Sequence, residues 1–430
     1  MSFLESDREL SRHSYYAATA SRTQSHAPLA GAIRCDVAVV GGGLAGLSAA
    51  LELAQRGLEV VVLEAREVGW GASGRNGGQA IHGLACGQDV IEAQLGLEDA
   101  RRVWDMSIEA LDLLRERIAT HAIDCDWRDG YLGVATNARK GKELAEWAEH
   151  TERRYDYPLT RVAPADIGRW ISSPRYHSGV HDPRSGHLHP LKYSLGIARA
   201  AAAAGVRIFE HSAVTSLTQG ATVSIKTANG EVQAKQALLA GNVYLQDLAP
   251  HLERRIMPVG TYIVCSEQIP KALADSLVPT RSAVCDTDFV LDYFRTTNDD
   301  RMLFGGRVSY STKTPANLRE SMRRRMVDAF PDLAGTKIEF AWGGFVDITM
   351  NRAPDFGRIA NNVYYLQGFS GHGLALTGLA GRVVAEAMTG DAGRFDVFAR
   401  LKHRPFPGGR LLRTPALVLG MAWYRLKDLL

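Results

Sequence analysis

Residues 35–65 read CDVAVVGGGLAGLSAALELAQRGLEVVVLEA, and this stretch decides the fold. Two apolar runs flank a glycine-rich turn and an apolar segment of helical spacing, so the predicted order is strand, turn, helix, strand. Gly41, Gly43 and Gly46 give the turn the spacing G-x-G-x-x-G. The first glycine allows a tight turn, the second lets backbone approach a pyrophosphate, and the third lets helix and strand pack closely. The stretch therefore predicts a Rossmann-like dinucleotide-binding unit.

An acidic residue at the end of the second strand strengthens this prediction. Glu64 lies 18 residues after Gly46. A carboxylate there accepts hydrogen bonds from the ribose hydroxyls of adenosine, and its charge repels the 2′-phosphate of NADP. The phosphates are expected at the helix start, where N–H groups are unpaired and the dipole is positive. An accidental glycine-rich turn is the alternative.

The loop at residues 71–79, GASGRNGGQ, distinguishes FAD from NAD. It follows the second strand almost at once and is rich in glycine and hydrogen-bonding side chains. An FAD-binding fold needs such a loop, because the flavin end extends beyond the sheet and backbone must run close to it. An NAD-binding fold does not. The loop favours FAD, and a flexible surface loop is the alternative.

A second glycine-rich turn, GFSGHG at residues 368–373, lies between an apolar strand and a helix. It presents another helix start with unpaired N–H donors. Aimed at the N1–C2=O edge of a flavin, these donors would stabilise the negative charge that the ring gains when it accepts a hydride. His372 in this turn is a candidate catalytic residue; a helix cap and an ordinary strand–helix turn are the alternatives.

Composition and charge exclude several classes of protein. The 430 residues are enough for about two domains. The 50 basic and 47 acidic residues nearly balance, which argues against nucleic-acid binding. The five cysteines are scattered without a C-x-x-C pair and no metal site is indicated, so a reducing cytoplasm fits best. No signal peptide is expected, and no apolar run reaches the roughly 20 residues of a spanning helix. The apolar stretch at 415–424 is expected to pack as a terminal helix or to touch a membrane surface.

Two histidines in SGHLHP are the remaining candidates. His187 and His189 alternate along a predicted strand and are therefore expected on opposite faces, which argues against a shared metal. Structural roles are favoured, with a place facing the substrate as the alternative for one of them.

Segments from one end of the chain to the other resemble the D-amino-acid oxidase superfamily of FAD enzymes. They are SYYAATA, residues 35–54, VVVLEA, GASGRNGGQ, IDCDWR, SGHLHPL, LAGNVYL, YYLQGFSGHG, GRFDVFA and HRPFPGGRLLRTP. The FAD segments are common to the whole superfamily. The first and last segments are more specific to a branch that oxidises gamma-glutamylated polyamines.

The resemblance implies an α/β fold in which a Rossmann-like FAD-binding domain is interleaved with an α+β substrate domain built on a mixed β-sheet. The implied FAD-binding domain comprises residues 34–120, 185–250 and 346–400, and the substrate domain 121–184 and 251–345. An N-terminal arm (1–33) and a C-terminal tail (401–430) complete the chain. The FAD contacts predicted from the motifs and the resemblance are Gly41, Gly43, Leu44, Ala45, Gly46, Glu64, Ala65, Ala72, Ser73, Arg75, Asn76, Gly77, Gly78, Gln79, Val214, Gly241, Gly371, His372, Gly373 and Leu374.

Two departures from relatives predict non-covalent FAD. In sarcosine oxidases a cysteine shortly before the GFSGHG turn attaches to the flavin, but here Trp342 occupies that region and no cysteine follows Cys285. In other relatives a histidine in the loop after the second strand makes the link, and this loop has Arg75 and Asn76. Sarcosine oxidases also activate oxygen through a strand lysine that the matching strand MLFGG lacks. The electron acceptor, oxygen or another, therefore stays open.

The predicted function is oxidation of a C–N bond in a small amine, above all a gamma-glutamylated polyamine. A hydride would pass from the α-carbon of the unprotonated amine to flavin N5, and water would hydrolyse the imine to an aldehyde. Such chemistry needs orientation and a dry pocket rather than a dedicated acid. The candidate substrate contacts are Tyr262, Tyr293, Trp342 and Arg352, with core packing or a surface salt bridge as alternatives, and Trp342 joins His372 as a candidate catalytic residue. The alternative functions are an FAD-dependent oxidase or dehydrogenase of an amino acid (a D-amino acid, pipecolate or an N-methyl amino acid), and an electron-transferring FAD subunit that needs a partner.

Overall fold

The computed structural model of this chain describes Asp7 and residues 13–288, 290–309 and 317–408. Its helices and strands in chain order are α1 (Tyr15–Thr19), β1 (Gly31–Val40), α2 (Leu44–Gln55), β2 (Val60–Leu63), β3 (Gln79–Ala80), α3 (Gln88–Leu95), α4 (Leu97–Thr120), β4 (Arg128–Ala135), α5 (Ala138–Tyr155), β5 (Thr160–Val162), β6 (Ser178–His187), α6 (Pro190–Ala203), β7 (Arg207–Phe209), β8 (Ser216–Thr218), β9 (Val223–Lys226), β10 (Gly230–Leu239), α7 (Pro250–Glu253), β11 (Ile256–Ser266), α8 (Lys271–Leu277), β12 (Ala283–Asp286), β13 (Tyr293–Thr296), β14 (Met302–Ser309), α9 (Leu318–Ala329), β15 (Ile338–Thr349), β16 (Asp355–Ala360), β17 (Val363–Gln367), α10 (Gly373–Met388) and α11 (Gly393–Ala399).

The described residues form two sheets, and the first has eight strands with a parallel centre. Along the order β16-β17-β10-β1-β2-β7, every neighbouring pair is parallel except β16 and β17; β9 pairs with the first half of β10, and β8 with β9. Residues 37–40 of β1 and all of β2 are buried on both faces, which explains their unbroken apolar runs. The carboxyl ends of β1, β2, β10 and β17 meet at one edge, where the chain continues into Gly41, Glu64, Ala240 and Gly368.

The second sheet has nine strands and is antiparallel except where β12 meets β4. Its order is β15-β11-β14-β13-β12-β4-β6-β3, with β5 added to β6. Successive side chains of a strand point to opposite faces. On β13, Phe294 therefore packs into an apolar core that includes Met322 of α9, whereas Tyr293 and Arg295 face the loop at residues 71–79.

Residues 13–33 of the N-terminal arm pack along both sheets. The Ser14 hydroxyl accepts the Tyr16 N–H at 3.2 Å and begins α1. The Tyr15 hydroxyl donates to Asp299 beside the second sheet at 2.6 Å, and the His26 N–H donates to Glu210 beside the first sheet at 3.0 Å. Tyr16 is fully buried. The arm is therefore an integral part of the interface between the sheets.

Most predicted elements, and the predicted α/β class with its mixed sheet, are confirmed. Two expectations are wrong. The helical spacing of Val103, Met106, Ala110 and Leu114 predicts one helical stretch over 89–119, but the chain forms two helices there, because Gly96 between α3 and α4 has a φ of +81°. His189 does not alternate with His187 on a strand, because β6 ends at His187 and His189 is the N-cap of α6.

The first sheet takes its strands from residues 31–63, 207–239 and 355–367, and the second sheet from 79–80, 128–187 and 256–349. The division into FAD-binding and substrate domains stays a prediction. β3, residues 185–187 of β6 and residues 346–349 of β15 belong to the second sheet, although they lie in segments predicted for the FAD-binding domain. The apolar stretch at 415–424 lies outside the described residues.

Candidate cofactor and active site

The first glycine-rich turn connects β1 to α2 and leaves no room for side chains. Gly41 has a φ of +114°, and a Cβ there would lie 2.6 Å from the carbonyl oxygen of Ala240. A Cβ on Gly43 would lie 2.9 Å from the Ser73 hydroxyl, and one on Gly46 would overlap the Gly41 carbonyl oxygen. The backbone at the start of α2 is therefore bare at the sheet edge, as close approach of a pyrophosphate requires.

Glu64 is fixed beside this turn by backbone donors. Its Oε2 accepts the Gly42 N–H at 2.7 Å, and its Oε1 accepts the Arg66 N–H at 2.8 Å. Burial raises the pKa of the Glu64 carboxyl, although both bonds oppose this rise. Ribose hydroxyls that donate to the same oxygens would stabilise the charged form. The geometry therefore fits the ribose contact predicted for this residue.

The loop at residues 71–79 is closed by its own hydrogen bonds. The Asn76 side chain donates to the Ser73 carbonyl oxygen at 3.1 Å and accepts the Gly78 N–H at 2.8 Å. The Ser73 hydroxyl accepts the Leu44 N–H of α2 at 2.9 Å. Asn76 thus shapes the loop, and Ser73 ties it to the first glycine-rich turn.

Arg75 is buried in this loop with one donor group left over. Its Nη1 donates to Asp7 at 3.0 Å, and its guanidinium lies 4.2 Å from the ring centroid of Trp70. Asp7 also accepts the Tyr244 hydroxyl, and the Trp342 indole N–H donates to the Arg75 carbonyl oxygen at 2.9 Å. Nη2 of Arg75 is buried without a hydrogen-bond partner among the described residues. An unpaired buried donor is expected where a bound molecule supplies the acceptor, so Arg75 fits a cofactor-binding role.

The far end of the loop packs on the second sheet. A Cβ on Gly77 would lie 2.7 Å from the Tyr293 ring. Gly78 has a φ of +77°, and a Cβ there would lie 3.0 Å from Nη2 of Arg295. Nε of Arg295 donates to the Gly77 carbonyl oxygen at 2.9 Å. The loop therefore runs between the two sheets, where one bound molecule can contact both.

A buried carboxyl from β15 holds the second glycine-rich turn. Oδ2 of Asp347 accepts the Gly368 N–H at 2.5 Å, and the Asp347 carbonyl oxygen accepts the Ser370 N–H at 3.1 Å. Gly368, Ser370 and Gly371 have φ values of +77°, +53° and +86°, so this backbone needs support from outside the turn. Burial raises the pKa of Asp347 to about 6 despite the N–H groups of the turn.

His372 is positioned by the segment that follows β3. Its Nε2 lies 2.8 Å from the His82 carbonyl oxygen, and burial lowers its pKa to about 4. The ring is therefore neutral at neutral pH and donates through Nε2. His372 makes no side-chain hydrogen bond that caps α10. Asp182 in turn holds His82, since its Oδ2 lies 2.7 Å from Nδ1 of His82, and it also accepts the Tyr157 hydroxyl at 3.0 Å.

The four predicted substrate residues do not form one group. Trp342 is 1% exposed, and its ring lies 5.3 Å from that of Tyr16. Tyr293 faces the same loop, as Trp342 does. Tyr262 lies on the opposite face of the second sheet, in the apolar core below α9. Arg352 is exposed in the turn between β15 and β16. Tyr262 is thus separated from Trp342 and Tyr293. Arg352 follows β15 and donates its N–H to the Thr349 carbonyl oxygen at 3.1 Å, and the Thr349 N–H donates to the Ser370 hydroxyl of the second glycine-rich turn at 3.2 Å.

Among the remaining predicted FAD contacts, Gly241 follows β10 and Leu374 lies at the start of α10, whereas Val214 lies between β7 and β8 and Gln79 lies in β3 of the second sheet. The Ala240 N–H, just before Gly241, donates to Val40 at 2.8 Å. Val214 is half-buried and packs against an apolar cluster that includes Leu63. Leu374 is buried in the first turn of α10. The structure gives no separate reason to select Val214.

Sequence reasoning missed three residues that contact the candidate site: Asp347, Arg295 and Tyr16. A charged residue inside the apolar run FVLDYFR was the available signal for Arg295. Asp347 lies in a similar apolar run, GGFVDITM, and Tyr16 lies in SYYAATA, but neither pattern shows which distant loop the side chain meets.

All five cysteines lie among the described residues and are free thiols. Within the described part of the chain, no group of three or more histidine, cysteine, aspartate and glutamate residues is placed to hold a metal ion. Across the same residues, no helix combines the length and apolarity needed to cross a membrane.

The fold and the site define a dinucleotide-binding protein whose site lies where a parallel sheet meets a large mixed sheet. Residues 36–387 match the family model described as FAD dependent oxidoreductase, DAO. The chain belongs to this family of FAD-dependent oxidoreductases. The predicted family resemblance, the enzyme class and the use of FAD are thereby confirmed.

Two relatives are similar to this chain over nearly its whole length. The chain is 44% identical to gamma-glutamylputrescine oxidoreductase of Escherichia coli, over 96% of this chain and 98% of that protein. It is 40% identical to a probable oxidoreductase of Haemophilus influenzae, over 96% of this chain and 97% of the relative. Glycine oxidase from Bacillus cereus is similar in structure, with a TM-score of 0.70 at 19% identity over 86% of this chain and 99% of the other. That last likeness concerns the fold alone.

Proposed function

We propose that this protein oxidises a C–N bond of gamma-glutamylputrescine, or of a related gamma-glutamylated polyamine. The observation that carries the proposal is the 44% identity to an oxidoreductase named for that substrate, over 96% of the chain. Family membership supports the FAD chemistry, while the fold alone is shared by enzymes with different substrates. The choice of substrate therefore rests on the near full-length relative.

The cofactor would be held along the edge where the two sheets meet. The bare backbone of Gly41 and Gly43 would take the pyrophosphate, and Glu64 the ribose. The unpaired N–H of Arg75 would find its acceptor on the cofactor. When bound, FAD accepts a hydride from the carbon beside the amine nitrogen, which leaves an imine that water hydrolyses to an aldehyde and ammonia.

The chain's own contribution is orientation and exclusion of water. We assign the first sheet and its helices to FAD and the second sheet to the substrate. The buried rings of Trp342 and Tyr16, together with Tyr293, would cover the reacting centre from the second sheet. His372 would act as a neutral donor that fixes the turn at the start of α10, rather than as an acid. We also propose a cytoplasmic location, since five free cysteines fit a reducing compartment.

We propose that FAD is bound without a covalent link. The loop positions that face the candidate site carry an arginine and an asparagine, and neither side chain is the thiol or imidazole used by linked relatives. Acid precipitation of the purified holoenzyme should therefore release the flavin into the supernatant. A yellow pellet would contradict this assignment.

The substrate proposal is tested by anaerobic reduction of the bound flavin. We expect gamma-glutamylputrescine to bleach the flavin faster than putrescine, D-amino acids, pipecolate or N-methyl amino acids. A faster response to any amino acid would transfer the assignment to an amino-acid oxidase or dehydrogenase. Exposure of the reduced enzyme to air then identifies the acceptor: steady hydrogen peroxide production means oxygen, and reoxidation only with an added protein or quinone means another acceptor.

A further inference from the structure

Arg295 on β13 is a buried cation at the join between the two sheets. It is 3% exposed. Its Nε donates to the Gly77 carbonyl oxygen at 2.9 Å, and its Nη2 donates to the Leu188 carbonyl oxygen and the Tyr16 hydroxyl, both at 3.1 Å. These three acceptors take three of the five N–H groups of Arg295, and all of them are neutral groups.

The histidines beside Arg295 are also neutral. Nε2 of His187 lies 2.8 Å from the Arg281 carbonyl oxygen, so Nε2 carries the proton and Nδ1 accepts from Nη1 of Arg295 at 3.4 Å. Burial, aided by the charge of Arg295, lowers the pKa of His187 and of His189 to about 3. Burial raises the pKa of Tyr16 and of Cys265, the other titratable groups that sense this guanidinium. No group facing Arg295 among the described residues carries a negative charge at neutral pH.

Other buried arginines in the described structure have carboxylate partners. Arg117 pairs with Glu52 at 2.9 Å, and Arg281 pairs with Asp300 at 2.8 Å. Arg295 makes no such pair with any described residue. A guanidinium stays protonated at all relevant pH values, and a buried charge without a counter-charge is strongly destabilising. A retained, uncompensated charge of this kind points to an anion that is formed or bound next to it.

The neighbouring loop identifies which anion. Arg295 holds the Gly77 carbonyl and fills the space beside Gly78, in the loop assigned to the flavin. Hydride transfer brings two electrons and one proton, so a bound neutral flavin gains one negative charge. We propose that Arg295 supplies the positive charge that stabilises this negative charge on the flavin. The inference rests on the proposed function, because it requires FAD at this loop.

The test compares the holoenzyme with two variants at this position. Arg295→Gln removes the charge and keeps a hydrogen-bonding side chain, whereas Arg295→Lys keeps the charge and loses the planar fork. Arg139→Gln makes the same change of charge on the exposed face of α5 and is the matched control. Flavin absorbance of each purified protein is measured first. If the parent protein also fails to bind FAD, the result counts against the proposed function and not against the role of Arg295.

The readouts are the midpoint potential of the flavin and the affinity for sulfite, which adds to oxidised flavin and places negative charge on the ring. Both are measured without substrate, so a substrate carboxylate cannot contribute. We expect Arg295→Gln to weaken sulfite binding about tenfold. The same tenfold factor corresponds to a two-electron potential that is lower by about 30 mV. Arg295→Lys should stay near the parent values, and Arg139→Gln should match them.

Two results would overturn the proposal. The first is an unchanged flavin potential and an unchanged sulfite affinity in Arg295→Gln. If the KM for the amine nevertheless rises in that variant, the charge of Arg295 serves a substrate carboxylate instead. The second is an equal loss in Arg295→Gln and Arg295→Lys, which would show that the hydrogen bonds to the loop matter and the charge does not.

Discussion

Replacement of Asp347 tests how the second glycine-rich turn is held. The carboxyl group is 2% exposed, and Gly368 donates to it at 2.5 Å. Two substitutions separate its roles. Asp347→Asn keeps an acceptor for Gly368 without a titratable proton, and Asp347→Ala removes the acceptor. Both variants are to be compared with the parent holoenzyme in saturating FAD.

The pKa of Asp347 fixes the sign of the expected pH effect. Burial raises it from 3.8 to about 6, so the folded protein binds this proton more tightly than the unfolded chain. The resulting stabilisation is complete below pH 3.8 and is lost as the pH rises through about 6. Since about pH 5 lies one unit below the folded pKa, the loss between about pH 5 and about pH 8 is about 1.4 kcal/mol.

The variants should depart from the parent in different ways. Asp347→Asn lacks the proton, so the parent should lose about 1.4 kcal/mol relative to it between about pH 5 and about pH 8. Asp347→Ala leaves the Gly368 N–H buried without an acceptor, which costs about 1–3 kcal/mol at either pH. Weaker FAD binding is expected in Asp347→Ala, because the turn at the start of α10 loses its support.

Urea unfolding at the two pH values and equilibrium dialysis of FAD provide the measurements. Asp396→Asn, on the exposed side of α11, controls for loss of a carboxylate elsewhere. Parallel pH dependence in the parent and Asp347→Asn would refute the reasoning that burial raises the pKa of this carboxyl. Unchanged FAD affinity in Asp347→Ala would show that the turn keeps its shape without the side chain.

Two further substitutions probe the supports of the site. Gly46→Ala places a Cβ against the Gly41 carbonyl oxygen, so we expect a less stable protein without bound FAD, whereas the control Gly393→Ala, at the open start of α11, should bind FAD normally. Flavin absorbance and the urea midpoint of each variant are the measurements. A Gly46→Ala protein with normal flavin absorbance would contradict the packing argument. Asp182→Ala removes the acceptor of His82 and of the buried Ser185 N–H, so the free energy of unfolding should fall by about 3 kcal/mol and FAD binding should weaken through His82. A loss below about 0.5 kcal/mol in urea unfolding would refute this role of Asp182.

The elements of the first sheet could be predicted because their signals are local. The apolar runs before Gly41 and before Glu64 are unbroken, since both faces of those strands are covered, and the glycines between them admit few other conformations. The same holds for residues 368–373, where a strand, three residues with positive φ and a helix follow directly in the sequence. Each of these patterns lies within a single strand–turn–helix unit.

The side chains that the second sheet brings to the site could not be predicted in this way. Arg295 meets Gly77 across 218 positions and Tyr16 across 279 positions. The run TYIVCSE is apolar on both faces, so its alternation does not tell which face meets the flavin loop. Tyr262 was therefore expected in the site, whereas the structure places Ile263 on that face and Tyr262 on the other. Knowledge of the sheet order is needed to choose between the faces.

The histidines of the site imply where the pH dependence of catalysis originates. Burial lowers the pKa of His187 and His189 to about 3 and that of His372 to about 4, so none of them changes charge between about pH 6 and about pH 9. Asp347, whose pKa burial raises to about 6, titrates at the lower edge of this range. Above about pH 7 the group left to titrate is the amine substrate, which must lose its proton before a hydride can leave the adjacent carbon. The rate of anaerobic flavin reduction should therefore rise with pH toward about 10, as for an ordinary primary amine.

His372→Asn should keep this profile, even if its maximal rate falls through a loosened turn, and His150→Asn on the exposed side of α5 should change neither. Stopped-flow reduction across the pH range gives the comparison. An inflection between about pH 6 and about pH 7 that disappears in His372→Asn would mean that the ring titrates during catalysis. In that case the burial that keeps His372 neutral in the free protein does not persist once the substrate is bound.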